Sequence, residues 1–346
     1  MLLLFFLALA PVASYVLVPL DTLKGHETSY KVSKSSKVYI VSNASPALLQ
    51  TWKISTNTGA QNADAYTLSV PQTDGSLTPF VPNTDKDYMD ISCSDSVTSV
   101  PGYLYIEDAT SNLNVFPLTT NSSVSFKLGT NVFFRMESPN SMIPIARDVV
   151  INKNVAFSGF VGLPGSADLV KFFDSALIDE TNYQQLDLPM EVFHFTSNGV
   201  DVQYKVQFGT HLEMNVGQSG LVMTDAFPGG EAVNITYELT NPNNANISVL
   251  LIPVLNKKQP YTVNVTLFST DLLLETFPIF SQSDSSINVV EPVHKLRIEN
   301  GGPWAMQFSL RDTTPTTPAP VQTTTKSSQI HQFFVSLLVA AALFSL

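Results

Sequence analysis

Apolar and polar residues alternate along most of this 346-residue chain. Val233, Ile235, Tyr237 and Leu239 fall on one side of such a run, with Asn234, Thr236 and Glu238 on the other. Trp304, Met306, Phe308 and Leu310 likewise oppose Ala305, Gln307, Ser309 and Arg311. Successive side chains of a strand point to opposite faces, so each run predicts a strand with one face on a core and one in solvent. The same pattern predicts strands over Lys37 to Ser42, Gln50 to Ser55, Ser123 to Leu128, Asn131 to Met136, Glu191 to Thr196 and Val200 to Phe208. Asp74-Gly75, Asn198-Gly199, Pro228-Gly229-Gly230 and Asn300-Gly301 supply turn chemistry between them. Helical periodicity is absent over any long window. Many short strands separated by turns predict an all-β fold of tandem antiparallel β-sandwiches.

The pattern also recurs. Tyr103-Leu104-Tyr105-Ile106-Glu107, Tyr204-Lys205-Val206-Gln207-Phe208 and Ala305-Met306-Gln307-Phe308-Ser309 follow one another at a spacing of 101 residues. The second and third follow Asn198-Gly199 and Asn300-Gly301, as in a shared hairpin. Tyr30-Lys31-Val32 and Phe126-Lys127-Leu128 each precede a similar strand, Lys37 to Ile40 or Asn131 to Phe134. These echoes predict three sandwich repeats, at 15–108, 109–209 and 210–312, with two larger domains as the alternative.

Both ends of the chain depart from alternation. Met1 to Ala10 is nearly all Leu, Phe and Ala, and Pro11-Val12-Ala13-Ser14 offers small residues for cleavage after Ser14. Residues 1–14 therefore read as a secretory signal peptide, although no Lys or Arg precedes the apolar run. At the other end, Thr313 to Thr325 holds seven Thr and three Pro, which predicts a disordered, O-glycosylated stalk over 313–328. Phe333 to Leu346 is uncharged and mostly apolar. A helix of that length spans about 21 Å, short of the roughly 30 Å of a hydrocarbon layer. A polar spacer followed by a short terminal apolar tail is the pattern of a glycosylphosphatidylinositol (GPI) signal, here 329–346, with attachment at Ser327 or Ser328. A marginal transmembrane anchor and a buried terminal helix are the alternatives.

Charged residues make up 14% of the chain and hydrophobic ones 44%, so Ser, Thr, Asn and Gln must supply much of the polar surface. The formal net charge of −11 argues against nucleic acid as a partner, because phosphate recognition needs a basic patch. Asn43, Asn121, Asn234, Asn246 and Asn264 each begin an Asn-x-Ser/Thr sequon, and entry to the secretory pathway would make each a glycan acceptor. Pro46 beyond Ser45 weakens Asn43, whereas Asn264 falls on the polar side of the alternating run Tyr261 to Leu267.

Catalytic chemistry is poorly represented. Cys93 is the single cysteine and reads as a small buried hydrophobe on a strand, an intermolecular disulfide or a nucleophile being the alternatives. His194 lies between Phe193 and Phe195, which predicts a ring pointing away from those aromatics and into solvent. His26-Glu27 is not followed by the second His of a zinc-protease helix. Gly217-Gln218-Ser219-Gly220 does not complete a nucleophile elbow. No catalytic, cofactor or metal residue is assigned.

Asp168-Leu169-Val170-Lys171-Phe172-Phe173-Asp174-Ser175 resembles the Asp–aromatic–Val–x–Val–x–Asp–Gly strand and turn of CUB domains. From Asn154 to Phe208 the chain is similar to the nematode CUB-like family, and Asp64-Ala65-Tyr66-Thr67-Leu68 with Asp74-Gly75 is a looser echo. The lone cysteine departs from ordinary CUB domains, which carry paired ones. The resemblance implies a jelly-roll-like sandwich and an extracellular binding or adhesive role, in a family often tied to intestinal defence. Some CUB domains bind calcium. Asp168 and Asp64 match the leading Asp of that motif, but the other ligands have no counterpart and no metal site is carried over. The expectation is a GPI-anchored glycoprotein on the outer face of the plasma membrane, or shed from it, that binds an extracellular protein or glycan. A surface-coat or lumenal lining glycoprotein without a defined ligand is the first alternative, and a secreted hydrolase the second.

Overall fold

The computed structural model describes residues 15–56, 62–82, 88–94, 98–108, 112–119, 124, 128–136, 142–166, 169–199, 202–209, 214–225, 227–229, 234–241, 244–255, 260–280, 286–300 and 302–315. The fold is all-β, and its strands repeat one order three times. The first segment contains β1 (Tyr15–Pro19), β2 (Glu27–Lys31), β3 (Lys37–Val41), β4 (Trp52–Thr56), β5 (Asn62–Asp64), β6 (Tyr88–Cys93) and β7 (Tyr103–Glu107). The second contains β8 (Leu113–Leu118), β9 (Gly129–Arg135), β10 (Ile143–Ile151), β11 (Phe157–Val161), β12 (Lys171–Asp174), β13 (Asn182–Asp187), β14 (Val192–Ser197) and β15 (Val202–Gly209). The third contains β16 (Ser219–Met223), β17 (Ile235–Glu238), β18 (Ile247–Leu255), β19 (Thr262–Ser269), β20 (Leu272–Phe280), β21 (Ile287–Glu291), β22 (Lys295–Asn300) and β23 (Trp304–Asp312).

Five sheets result. Sheet I has the order β2-β6-β4-β5 and sheet II the order β1-β7-β3. Sheet III runs β12-β11-β14-β9-β8, sheet IV β15-β10-β13-β16-β23-β18-β21, and sheet V β17-β22-β19-β20. The order β2-β6-β4-β5 thus reappears as β9-β14-β11-β12 and as β17-β22-β19-β20. Opposite it, β15-β10-β13 corresponds to β23-β18-β21, and in the first segment Phe80 bridges Val38 where β13 or β21 would lie. The segments β7, β15 and β23, which carry the 101-residue recurrence, hold equivalent places. The other recurrence joins strands in different places, β3 in sheet II and β9 in sheet III.

Pairing is antiparallel except for β8 with β9 and β13 with β16. Four hydrophobic clusters join consecutive sheets. Trp52, Ile54, Met89 and Ile91 of sheet I meet Val38, Ile40, Leu104 and Ile106 of sheet II. The opposite face of sheet II brings Tyr39, Val41 and Tyr105 against Val115, Val132 and Phe134 of sheet III. The other side of sheet III is aromatic, with Phe157 stacked on Phe195 at 4.8 Å and Phe133 on Phe193 at 5.0 Å, and it packs on the β10 side of sheet IV. Trp304, Met306 and Phe308 of sheet IV close on Val263, Val265, Leu296 and Ile298 of sheet V.

The stacking corrects the reading of Trp304 to Arg311. Trp304, Met306, Phe308 and Leu310 do line a core, but Ala305, Gln307 and Ser309 are buried as well. Sheet III covers their face, leaving Arg311 the exposed member of that set. Gly220 lies at the crossing: a Cβ there would meet the carbonyl oxygen of Gln185 at 2.3 Å, so the close approach of β16 to β13 requires glycine.

Among the described residues, two short α-helices interrupt the strands, α1 (Pro46–Leu49) and α2 (Ala65–Ser69). The second replaces the strand-like echo expected at Asp64 to Leu68. Asp64 caps it by accepting a hydrogen bond from the Thr67 N–H at 2.8 Å, which holds its carboxyl below the usual range. Of the strand expected over Ser123 to Leu128, Val124 and Leu128 are described and neither belongs to a strand. The signal segment, Asn121, Asp168, Ser327, Ser328 and the stalk beyond Pro315 lie outside the described residues.

Candidate functional site

Asn43, Asn234 and Asn246 are exposed. Asn264 lies on the outer face of β19 between buried Val263 and Val265, as alternation predicts, but it is half-buried. Its sequon partner Thr266 is buried, with its hydroxyl 3.2 Å from that of Thr276. Asn43 extends its side-chain amide to the carbonyl of Met136 at 3.4 Å, across the first and second segments.

Within the CUB-like stretch, Lys171 to Asp174 forms β12, and Asp174 closes the following turn by accepting from the Ala176 N–H at 3.0 Å. His194 points away from Phe193 and Phe195, yet it is buried rather than solvated. Its ring stacks on Phe160 at 5.1 Å, and Nδ1 lies 2.7 Å from the Gly162 carbonyl. Burial holds its pKa below the ordinary histidine range, with the Gly162 contact opposing. Alternation gave the direction of the ring; the neighbouring strand β11 and its following loop supply the cover.

Cys93 is buried on β6 among the residues joining sheets I and II, with Sγ 4.0 Å from the Thr51 hydroxyl. Ser219 is also buried, and its hydroxyl donates to the Asn182 carbonyl at 2.8 Å. It ties β16 to β13 and is unavailable as a nucleophile. Among the described residues, no group of three His, Cys, Asp or Glu side chains could hold a metal ion. Among the same residues, no helix is long and apolar enough to cross a membrane.

Arg135, at the end of β9, donates to the carbonyls of Pro189 at 3.0 Å and Met142 at 2.7 Å. Burial lowers its pKa, and the carboxylates of Asp225 and Glu191 oppose that shift. The guanidinium thus ties together two loops of the second segment. At the opposite end of sheet IV lies a cavity of about 210 Å³, floored by Ile151, Val155 and Ile178. Lys153 and Asp179 meet at its rim, 3.4 Å apart and both largely exposed.

The most distinctive surface is the open side of the third segment. Leu272 (73% exposed), Leu273 (61%) and Phe280 (57%) lie on β20, and Val290 (58%) lies on β21. No large apolar side chain among the described residues is more exposed than these four. β20 and β21 are the edge strands of sheets V and IV, and no other described strand pairs with their outer edges. No sequon falls on either strand. Sequence reasoning passed over this side because Leu272-Leu273-Leu274 breaks the alternation. The apolar residues around Glu275 and Thr276, with Pro278 among them, were the available signal for an exposed edge. Electrostatics on the adjoining outer face of sheet V are local: Arg297 lies over the Phe268 ring at 5.0 Å, and Lys295 is 3.3 Å from Glu238.

No protein-family model matches this chain, and no curated protein matches it.

Proposed function

We propose that this chain is an extracellular glycoprotein, tethered to the outer face of the plasma membrane by a GPI lipid, that acts as a non-catalytic binding or adhesion module. The observation that carries the reading is the set of exposed apolar side chains on the edge strands β20 and β21. A soluble surface seldom leaves such a patch without a partner. Exposure of Asn43, Asn234 and Asn246 supports a glycosylated exterior. The Thr/Pro run follows β23 directly, and as an extended stalk of thirteen residues it would reach roughly 40 Å. β12 and its Asp174 turn support the CUB-like relationship, from which the setting in surface or intestinal defence is taken.

The test uses the full chain expressed on cells. Phosphatidylinositol-specific phospholipase C should release it, and retention with Phe333 to Leu346 still attached would overturn the lipid anchor. Adhesion of the expressing cells to cells, microbes and glycan-coated beads should be saturable. It should fall when Leu272, Leu273 and Phe280 are all changed to Ser at unchanged surface level. No saturable adhesion to any of these would instead favour a coat glycoprotein.

A further inference from the structure

The junction between the second and third segments shows how this fold covers the side that the third segment leaves open. In the second segment that side consists of β12 and β13. The third segment closes it in two ways. β16 pairs in parallel with β13, matching Gln185 to Gly220 and Leu186 to Leu221. β23 lays Gln307, Ser309 and Arg311 onto Asp174 and Glu180. β20 and β21 occupy the equivalent places in the third segment, and among the described strands they pair only with β19 and β18.

We propose that a second copy of this chain covers the open side, with β21 pairing antiparallel to β21 of the other copy about a two-fold axis, so that sheet IV continues through both. This rests on the binding reading above and names its partner. Sheet IV already grows across a segment boundary by edge pairing at β13, so the proposed contact continues a device the chain uses internally. Ile287 to Glu291 contains no proline, so each residue keeps its backbone donor, whereas Pro278 removes one from the β20 edge. A register centred on Val289 places Glu291 opposite Ile287 and Asn288 opposite Val290, so no like charges meet across the axis. Packed sheets lie about 10 Å apart, so joining the β21 edges also brings the β20 edges together. Exposed Val290 then leaves water beside Asn288 of the other copy. The contact is isologous and closes on itself. The opposite edge of sheet IV, β15, carries exposed Lys205, a residue that discourages further edge pairing.

The experiment uses the full chain on the cell surface. Two differently tagged forms should co-purify after mild detergent extraction. Val289→Cys should give a disulfide-linked dimer on a non-reducing gel, because the native Cys93 is buried. Thr236→Cys, on the exposed outer face of sheet V, should remain a monomer. Changing Asn288 and Val290 together to Asp sets like charges opposite each other and should reduce both signals by about tenfold. Both residues are exposed, and surface level reports whether the variant folds. Absence of co-purification, or equal dimer from Val289→Cys and Thr236→Cys, overturns the self-association. If self-association is absent but the Asp pair still abolishes adhesion, a different partner covers this side and the binding reading stands. If the Asp pair changes neither readout, both readings fall.

Discussion

Gln307 reaches from β23 to the backbone of Asp174, accepting from its N–H at 2.8 Å and donating to its carbonyl at 3.1 Å. One side-chain amide thereby imitates a strand neighbour for the last residue of β12, in another sheet and in another segment. Gln307 itself is fully buried, so the ring of two hydrogen bonds forms out of water. Gln307→Ala would strand two backbone groups of Asp174, at a cost of about 1–3 kcal/mol for each that stays dry. Denaturant unfolding of the secreted ectodomain should show a correspondingly lower midpoint. An unchanged midpoint would mean that water replaces the amide without loss.

Phe308 and Ser309 separate the two faces of the same strand. Phe308 is fully buried between sheets IV and V, and Phe308→Ala should cost roughly 3–5 kcal/mol. Ser309 is buried on the other face, where its hydroxyl donates to Glu180 at 3.0 Å. Glu180 also accepts from Arg311 at 2.6 Å, so Ser309→Ala should cost about 1 kcal/mol rather than nothing. Surface expression and melting temperature relative to wild type check both. Equal values for the two variants would contradict the burial of Phe308.

Glu107 should make stability rise in acid. It is buried, and its carboxyl accepts from the Tyr105 hydroxyl at 2.7 Å. Burial raises its pKa above the ordinary value, the Tyr105 hydrogen bond opposes this, and the nearby Asp108 adds to it. Folding therefore favours the protonated form. The associated stability is complete below the unfolded-state pKa and is lost as pH rises through the folded one. Glu107→Gln, which keeps an acceptor for Tyr105, should raise the melting temperature at neutral pH and leave it unchanged below the glutamate range. A gain of equal size at both pH values would show that the charge is not responsible.

Asn234 and Asn264 should both carry glycans in protein from secreting cells. Asn234 is exposed at the start of β17, and Asn264 lies on the outer face of β19. Glycan transfer normally precedes folding, so the buried Thr266 hydroxyl is no obstacle. Peptide mapping after enzymatic deglycosylation in heavy-oxygen water should show Asn-to-Asp conversion at both sites. Unmodified asparagine at both would contradict passage through the secretory pathway.

Alternation along the sequence by itself determined the all-β class and the positions of most strands, because the two-residue repeat of an extended backbone is a local property. It also determined which side chains share a face. Trp304 with Phe308, Val263 with Val265, and Phe193 with Phe195 separate from their neighbours as the pattern requires. What lies beyond each face was decided only by the tertiary structure. Gln307, Ser309 and His194 are polar residues on the sides opposite these apolar sets, yet all three are buried because another strand, sheet or loop covers them. The exposed apolar side chains of β20 and β21 reverse the case, since no described strand covers them. Burial depends on contacts between residues more than a hundred positions apart, such as Asp174 with Gln307, and a local pattern of polarity carries no information about such a partner.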